Sequence, residues 1–148
     1  MKRIFLTLLL STATIYADDA NVHQSCSLAT LRGEYGFSIA GSRPSGPHGP
    51  IEQILGVALT TFNGDGTLAQ VDNIHGSISG YPASAENRPG KGTYMLGEDC
   101  NGTMTLENEG SPKLSLRIVV VNDGHEVRAV VVEPAVAMVT SNGVRVHP

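Results

Sequence analysis

Basic residues are few in this 148-residue sequence, and apart from Lys2 and Arg3 they are spread along the chain. The chain has 10 Lys and Arg against 14 Asp and Glu, which gives a formal net charge of −4 at pH 7. Proteins that follow a phosphate backbone or bind an anionic membrane surface need concentrated positive charge. The composition therefore predicts no nucleic-acid partner.

Motifs for metal, nucleotide or nucleophilic chemistry are also missing. The chain has only 2 cysteines, no Cys-x-x-Cys and no pair of histidines at ligand spacing. It has no phosphate loop, dinucleotide fingerprint or calcium loop. The segment GSISG at residues 76–80 places Ile78 where the serine of a nucleophile elbow must stand. We therefore expect no metal and no cofactor.

The N-terminus has the pattern of a secretory signal. Two basic residues precede an apolar run over residues 4–10, and small residues follow as far as Ala17. We expect residues 1–17 to be removed, with cleavage after Ala13 as the alternative, which leaves 8 basic residues against 14 acidic ones and a net charge of −6. An uncleaved anchor is a further alternative, but spanning a bilayer takes about 20 apolar residues. The mature protein is expected to be secreted or periplasmic, with no membrane contact after cleavage.

Two cysteines are left in the exported chain. Cys26 lies in a polar lead-in over residues 18–32, and Cys100 lies within the single domain predicted for residues 33–148. Because the compartment is oxidising and the number is even, we expect a Cys26–Cys100 disulfide.

Short apolar runs between glycines and prolines predict an all-β fold. The clearest is a hairpin over residues 113–133, in which Asn122-Asp123-Gly124 supplies a turn tolerant of positive φ. About eight antiparallel strands favour an up-and-down barrel, with a two-sheet sandwich as the alternative. The other strands are predicted at residues 33–40, 54–62, 67–79 with a bend at Gly76, 93–96, 103–107, and 135–146 with a bulge at Asn142-Gly143.

Loop lengths distinguish the two ends of the predicted barrel. The connections at residues 63–66, 97–102 and 122–124 are mostly tight and fall at one end together with both cysteines. The long connections at 42–53 and 80–90 fall at the other end. That end is the predicted mouth.

The strand and turn positions resemble those of a known group. Gly33-x-Tyr35-x-Phe37, residues 61–66 (TFNGDG) and residues 92–106 (GTYML…CNGTMTL) are similar to small secreted microbial proteins with calycin-like, allene-oxide-cyclase-type barrels. The resemblance implies an eight-stranded barrel with an apolar lumen, used for ligand binding or for cyclisation or isomerisation of a hydrophobic substrate. No catalytic residue of that group can be matched here.

Three residues are candidates for chemistry at the mouth. If Arg117 faces solvent, strand parity turns Glu133 inward at the rim, where an apolar lumen would raise its pKa and suit it to general acid or base work. Asn108 is aimed at the mouth as a hydrogen-bond donor, and His48 reaches over it as a proton shuttle. The alternatives are a solvated or paired Glu133, a turn role for Asn108 and a solvated His48.

Several side chains are candidates for ligand contact, with core packing as the alternative. The predicted lumen residues are Tyr35, Phe37, Tyr94, Met104, Leu116 and Ile118, and Tyr81 is predicted to line the mouth.

Asp72 and His75 lie on opposite faces of the third predicted strand, so one of them can point inward.

These features predict a barrel that binds an apolar or amphipathic small molecule. A cofactor-independent cyclase or isomerase and a surface-interaction module with a packed interior are the alternatives. The outward-facing positions of the 113–133 hairpin include four valines, Val119, Val121, Val130 and Val132. We expect this face to be covered by a second subunit or by the C-terminal segment.

Overall fold

The apolar runs of the sequence become eight antiparallel strands, and these strands close into a barrel. The computed structural model describes residues 25–80 and 86–147. Each strand pairs with the next, and the first also pairs with the last, which confirms the up-and-down barrel and excludes the two-sheet alternative. The strands are β1 (Arg32–Pro44), β2 (Ile51–Asn63), β3 (Thr67–Gly76), β4 (Arg88–Leu96), β5 (Asn101–Asn108), β6 (Leu114–Val121), β7 (Glu126–Glu133) and β8 (Met138–Arg145).

Every second side chain of these strands is inside the barrel. On β6 the inward residues Leu116, Ile118 and Val120 are buried, while Arg117 and Val119 between them are exposed. This alternation is what a sheet with one packed face and one solvated face requires. The predicted parity of the hairpin is thus confirmed over most of its length.

Three strands, β1, β2 and β4, run further toward the mouth than predicted. Thirteen residue pairs join β1 to β2, up to Pro44 opposite Ile51, so the connection is residues 45–50 rather than 42–53. Pro44 lies at a strand end, where its missing N–H interrupts little of the ladder. β4 likewise begins at Arg88, within the segment predicted as loop, and β3 ends at Gly76 instead of continuing to residue 79.

The last strand has no bulge, in contrast to the prediction at Asn142-Gly143. Register is continuous through this segment, with Gly143 opposite Phe37. A Cβ at Gly143 would lie 2.4 Å from the Phe37 ring. The glycine is therefore needed for close ring packing rather than for a bend.

The lead-in segment crosses the floor of the barrel, opposite the mouth. It forms a short 3-10 turn at Leu28–Thr30. Cys26 and Cys100 lie at disulfide distance with 5.0 Å between their Cα atoms, and the N–H of Cys26 donates to the carbonyl oxygen of Glu98 at 3.1 Å. The expected pair is confirmed at the tight end. The predicted signal peptide, residues 1–17, lies outside the described residues, and within residues 25–80 and 86–147 no helix is long and apolar enough to span a membrane.

Candidate functional site

The lower interior is filled by three aromatic rings. Phe62 packs edge-on against Tyr35 and Tyr94, with ring centroids 5.3 and 5.1 Å away. The Tyr94 hydroxyl donates to the carbonyl oxygens of Leu28 and Leu31 at 2.8 and 2.9 Å. Tyr35 and Tyr94, predicted to contact ligand, therefore belong to the closed floor, as the core-packing alternative describes.

Arg145 fixes the floor from the last strand. Its guanidinium carbon lies 5.2 Å from the centre of the Tyr35 ring, and its Nη2 donates to the Tyr35 hydroxyl and to the carbonyl oxygens of Thr30 and Gly124. The Tyr35 hydroxyl in turn donates to the carbonyl oxygen of Gly124. Burial raises the pKa of the Tyr35 phenol, with Arg145 opposing that rise. These contacts close the floor end of the barrel.

The upper interior is partly open to solvent. Inward residues near the floor, such as Tyr35 and Val127, are 0% exposed. Toward the mouth some inward side chains are only half-buried, whereas others, such as Ile54 and Ile74 on β2 and β3, are buried. We call this half-buried set the inner mouth, and it consists of Ile39, Arg43, Arg88, Leu114, Val139 and Ser141.

A polar network lines one wall of the upper interior. Asp72 on β3 and Arg88 on β4 are cross-strand neighbours, and the guanidinium contacts both carboxylate oxygens, Nε to Oδ1 at 2.9 Å and Nη2 to Oδ2 at 2.8 Å. Gln70 donates to Asp72 at 3.4 Å and accepts a hydrogen bond from Thr60 at 3.0 Å. We call Thr60, Gln70, Asp72, Arg88 and Asn108 the polar wall. The structure also shows which side of β3 faces inward, because Asp72 is inside the barrel and 2% exposed while His75 faces out.

Asn108 reaches the polar wall from β5 across a glycine. Its Nδ2 donates to Asp72 Oδ2, so the side chain points into the barrel, while its predicted role as a donor to a ligand stays a prediction. Gly90 lies between them on β4, and a Cβ there would be 2.1 Å from Asn108 Oδ1. The same Oδ1 is buried without a hydrogen-bond partner. Because both Asp72 oxygens already accept hydrogen bonds, the polar wall is suited to polar recognition more than to proton abstraction.

A second buried carboxylate fixes a turn at the mouth. Glu52 on β2 accepts hydrogen bonds from the backbone N–H groups of Ile78 and Ser79 at 3.2 and 2.9 Å, from the Ser79 hydroxyl at 2.8 Å and from Arg43 Nε at 3.3 Å. Burial opposes ionisation, but these hydrogen bonds, led by those from Ser79, lower the pKa of Glu52 to about 2. The charged side chain thereby holds the turn after β3 against the barrel.

Replacing Glu52 by glutamine should lower the free energy of unfolding by about 2 kcal/mol at pH 7, because hydrogen bonds to a charged group contribute about 1.5–3 kcal/mol. The folded pKa of about 2 lies below the ordinary value of 4.5. The stabilisation is therefore complete above about pH 4.5 and is lost as the pH falls toward about 2. Urea unfolding of both proteins across this pH range measures the difference between their free energies of unfolding. A difference that does not become smaller in acid contradicts a charged, hydrogen-bonded Glu52.

Glu133 does not face the interior. A bulge shifts the register of β6 and β7, so that Leu116 pairs with Val131 and Ser115 pairs with Glu133. The extra residue, Val132, reverses the parity at the strand end. Glu133 is exposed and accepts a hydrogen bond from the Ser115 hydroxyl at 3.0 Å. The predicted inward orientation is wrong.

The other predicted site residues are dispersed. His48 is exposed on the 45–50 connection, and Tyr81 lies outside the described residues. Glu133, His48 and Asn108 all belong to the mouth end, yet of these three only Asn108 has its side chain in the barrel. The remaining predicted lumen residues are buried in the main apolar core, and these are Phe37, Met104, Leu116 and Ile118.

The outer surface carries shallower features. An open depression of about 390 Å³ lies at the rim beside Lys91 and Asn108, and another of about 650 Å³ lies on the outer face of β4–β6 near Met95. Neither is formed by the inward residues at mid-height. Within residues 25–80 and 86–147, no three His, Cys, Asp or Glu side chains are grouped as metal ligands.

Comparison with known proteins identifies the fold of this chain but no family. No protein-family model and no curated protein matches it. A solved structure of a redesigned β-barrel is similar, with a TM-score of 0.53 and 12% sequence identity over 82% of this chain and 96% of that one. The likeness concerns the fold alone. The protein is an eight-stranded antiparallel β-barrel with a closed floor and a polar wall inside its open end.

Proposed function

We propose that this protein binds a small amphipathic molecule in the upper half of its barrel. The observation that supports the proposal is that polar and apolar side chains lie on different sides of the barrel interior. Gln70, Asp72 and Arg88 lie on β3 and β4, whereas the apolar inward residues Leu114, Val139 and Ile39 lie on β6, β8 and β1. On that second side the polar inward residues are Ser141 and Arg43, and Arg43 is paired with Glu52. Small-molecule sites typically combine apolar walls with a few placed polar groups.

This division into polar and apolar sides also suggests how such a molecule is oriented. Its polar end would lie toward Gln70, Arg88 and Asn108, and its apolar part against Ile39 and Val139. The ligand would occupy the space among half-buried side chains above Phe37, since the floor below is closed by packed rings. The predicted signal peptide and the cysteine pair at disulfide distance support an exported protein in an oxidising compartment.

A cyclase or isomerase, the activity that the sequence resemblance implies, has less support. It requires several polar groups that converge on a substrate. Glu133 and His48 have exposed side chains, and Asp72 is neutralised by Arg88. Binding is therefore the function that the geometry favours.

Filling the upper interior should abolish binding. Ala58 is inward and lies beside Phe37 on β1 and Asp72 on β3, where the apolar and polar walls meet. In titrations with a fluorescent amphipathic probe, Ala58→Leu is expected to weaken binding about 10-fold or more, because the added side chain takes the ligand's space. The matched control Thr93→Leu, which faces outward on β4, should bind within about twofold of the wild type.

Equal binding by the wild type and Ala58→Leu would overturn the proposal, as would absence of probe binding to the wild type. Circular dichroism and thermal unfolding establish that each variant is folded. Should Ala58→Leu not fold, Ser141→Leu fills the same interior from β8 and is read in the same way.

A further inference from the structure

One outer wall of the barrel carries no charge. It consists of the outward-facing positions among residues 36–42 of β1, 51–61 of β2, 69–73 of β3 and 138–144 of β8, and none of these is Asp, Glu, Lys or Arg. We call it the uncharged wall. Its large apolar side chains are well exposed, with Leu55 at 66%, Val57 at 60% and Met138 at 74%. A contiguous apolar patch on this scale usually marks an interaction surface.

The opposite wall differs, although it contains the hairpin that the sequence singled out. Val119 and Val130 are exposed there by 40% and 42%, but Arg117 and Arg128 lie among them. The C-terminal strand β8 is part of the barrel and does not fold over this hairpin. The observations therefore favour the uncharged wall, rather than the hairpin face, as a contact surface.

The uncharged wall has a relief that complements itself. The outward residues of β1 are small, with Gly36, Ser38 and Ala40 in succession, so this strand forms a furrow. The adjacent outward residues of β2 are Leu55, Val57 and Leu59, which form a ridge. Ser38 and Val57 are direct cross-strand partners, so the ridge and the furrow run side by side.

We propose that two copies of this chain associate through the uncharged wall, with the ridge of each in the furrow of the other. The two-fold axis lies between the two walls and runs parallel to the strands. It places the ridge of one copy over the furrow of the other and leaves the strands of both copies running in the same direction. It therefore sets Val57 of one copy opposite the partner's Ser38. This is an isologous contact, in which the same surface serves both subunits. Both mouths then open on the same side of the dimer.

Area and charge agree with a second copy as the occupant. Strands about 4.8 Å apart with a rise of about 3.4 Å per residue give the wall about 15 by 30 Å. Two such faces together cover about 900 Å², at the low end of protein interfaces, which fits a dimer that dissociates on dilution. The whole sequence carries a net charge of −4, or −6 once residues 1–17 are removed, and a face without charged groups lets two copies meet without placing like charges in contact.

Sedimentation velocity over a range of concentrations tests the proposal. The wild type should sediment as a dimer that dissociates on dilution. Val57→Arg buries an unpaired charge at the ridge and should raise the dissociation constant at least about 100-fold. The matched control, Val119→Arg, places the same charge on β6 of the hairpin face, away from the uncharged wall, and should leave the dimer intact.

The furrow is tested in trans. Ser38→Asp should weaken the dimer by itself, and a mixture of Ser38→Asp and Val57→Arg proteins should associate again, because each ridge arginine meets a furrow aspartate. A wild type that remains monomeric at its solubility limit overturns the proposal. So does a dimer that is broken by Val119→Arg and left intact by Val57→Arg.

Discussion

Arg88→Ala is expected to lower the free energy of unfolding by about 3–5 kcal/mol, because removing one partner of a buried ion pair leaves the other charge without compensation. The Asp72 side chain is 3% exposed and that of Arg88 is 12% exposed. Without the guanidinium, Asp72 keeps hydrogen bonds from only Gln70 and Asn108. Chemical unfolding at neutral pH measures the loss.

Arg128→Ala is the matched control. Its side chain is 62% exposed and pairs with Glu126 on the outer surface, so its loss should cost less than about 1 kcal/mol. The double variant Asp72→Leu with Arg88→Met should recover part of the stability, since replacing both partners removes the unpaired charge but leaves the Gln70 and Asn108 amides without their acceptor. If Arg88→Ala costs no more than Arg128→Ala, the polar wall is not the buried, charge-paired element described above.

Replacing both Cys26 and Cys100 by serine is expected to cost about 4 kcal/mol. The two residues are 74 positions apart, and in the chain-entropy model a cross-link over a loop of this size restricts the unfolded chain by about that amount. The link also holds the lead-in that accepts hydrogen bonds from Tyr94 on the floor. Thermal and urea unfolding measure the change.

Reduction supplies the control for the cysteine variant. A reducing agent should destabilise the wild type to about the level of the double serine variant and leave that variant unchanged. Equal stability of the wild type with and without reductant would show that the two cysteines are not bonded in the folded protein.

The sequence predicts the barrel because its local signals agree with one another. Alternation on β6 and β7, the Asn122-Asp123-Gly124 turn and the even spacing of short strands all favour one antiparallel meander. The disulfide follows from the same order, since counting strands puts Cys26 and Cys100 at one end. These features depend on sequence neighbours, which a single chain shows directly.

The polar wall could not be assembled from the sequence. Whether Asp72 or His75 faces inward depends on pairing with β2 and β4, and Arg88 lies in a segment whose proline and glycines resemble a loop. Glu52 was hidden in the same way by the prolines at 44 and 50. The inward placement of Glu133 failed because a single extra residue in a bulge reverses parity, and no local signal marks that bulge.

Native mass spectrometry of the non-reduced protein, purified from its own source, shows whether the barrel holds a ligand. We expect a bound amphipathic molecule that is present before mild organic extraction and lost after it, while the protein stays folded. The extracted compound should rebind to the wild type and to Thr93→Leu but not to Ala58→Leu. A spectrum with the mass of the protein alone before extraction, together with no binding of an amphipathic probe, would contradict a ligand site in the barrel.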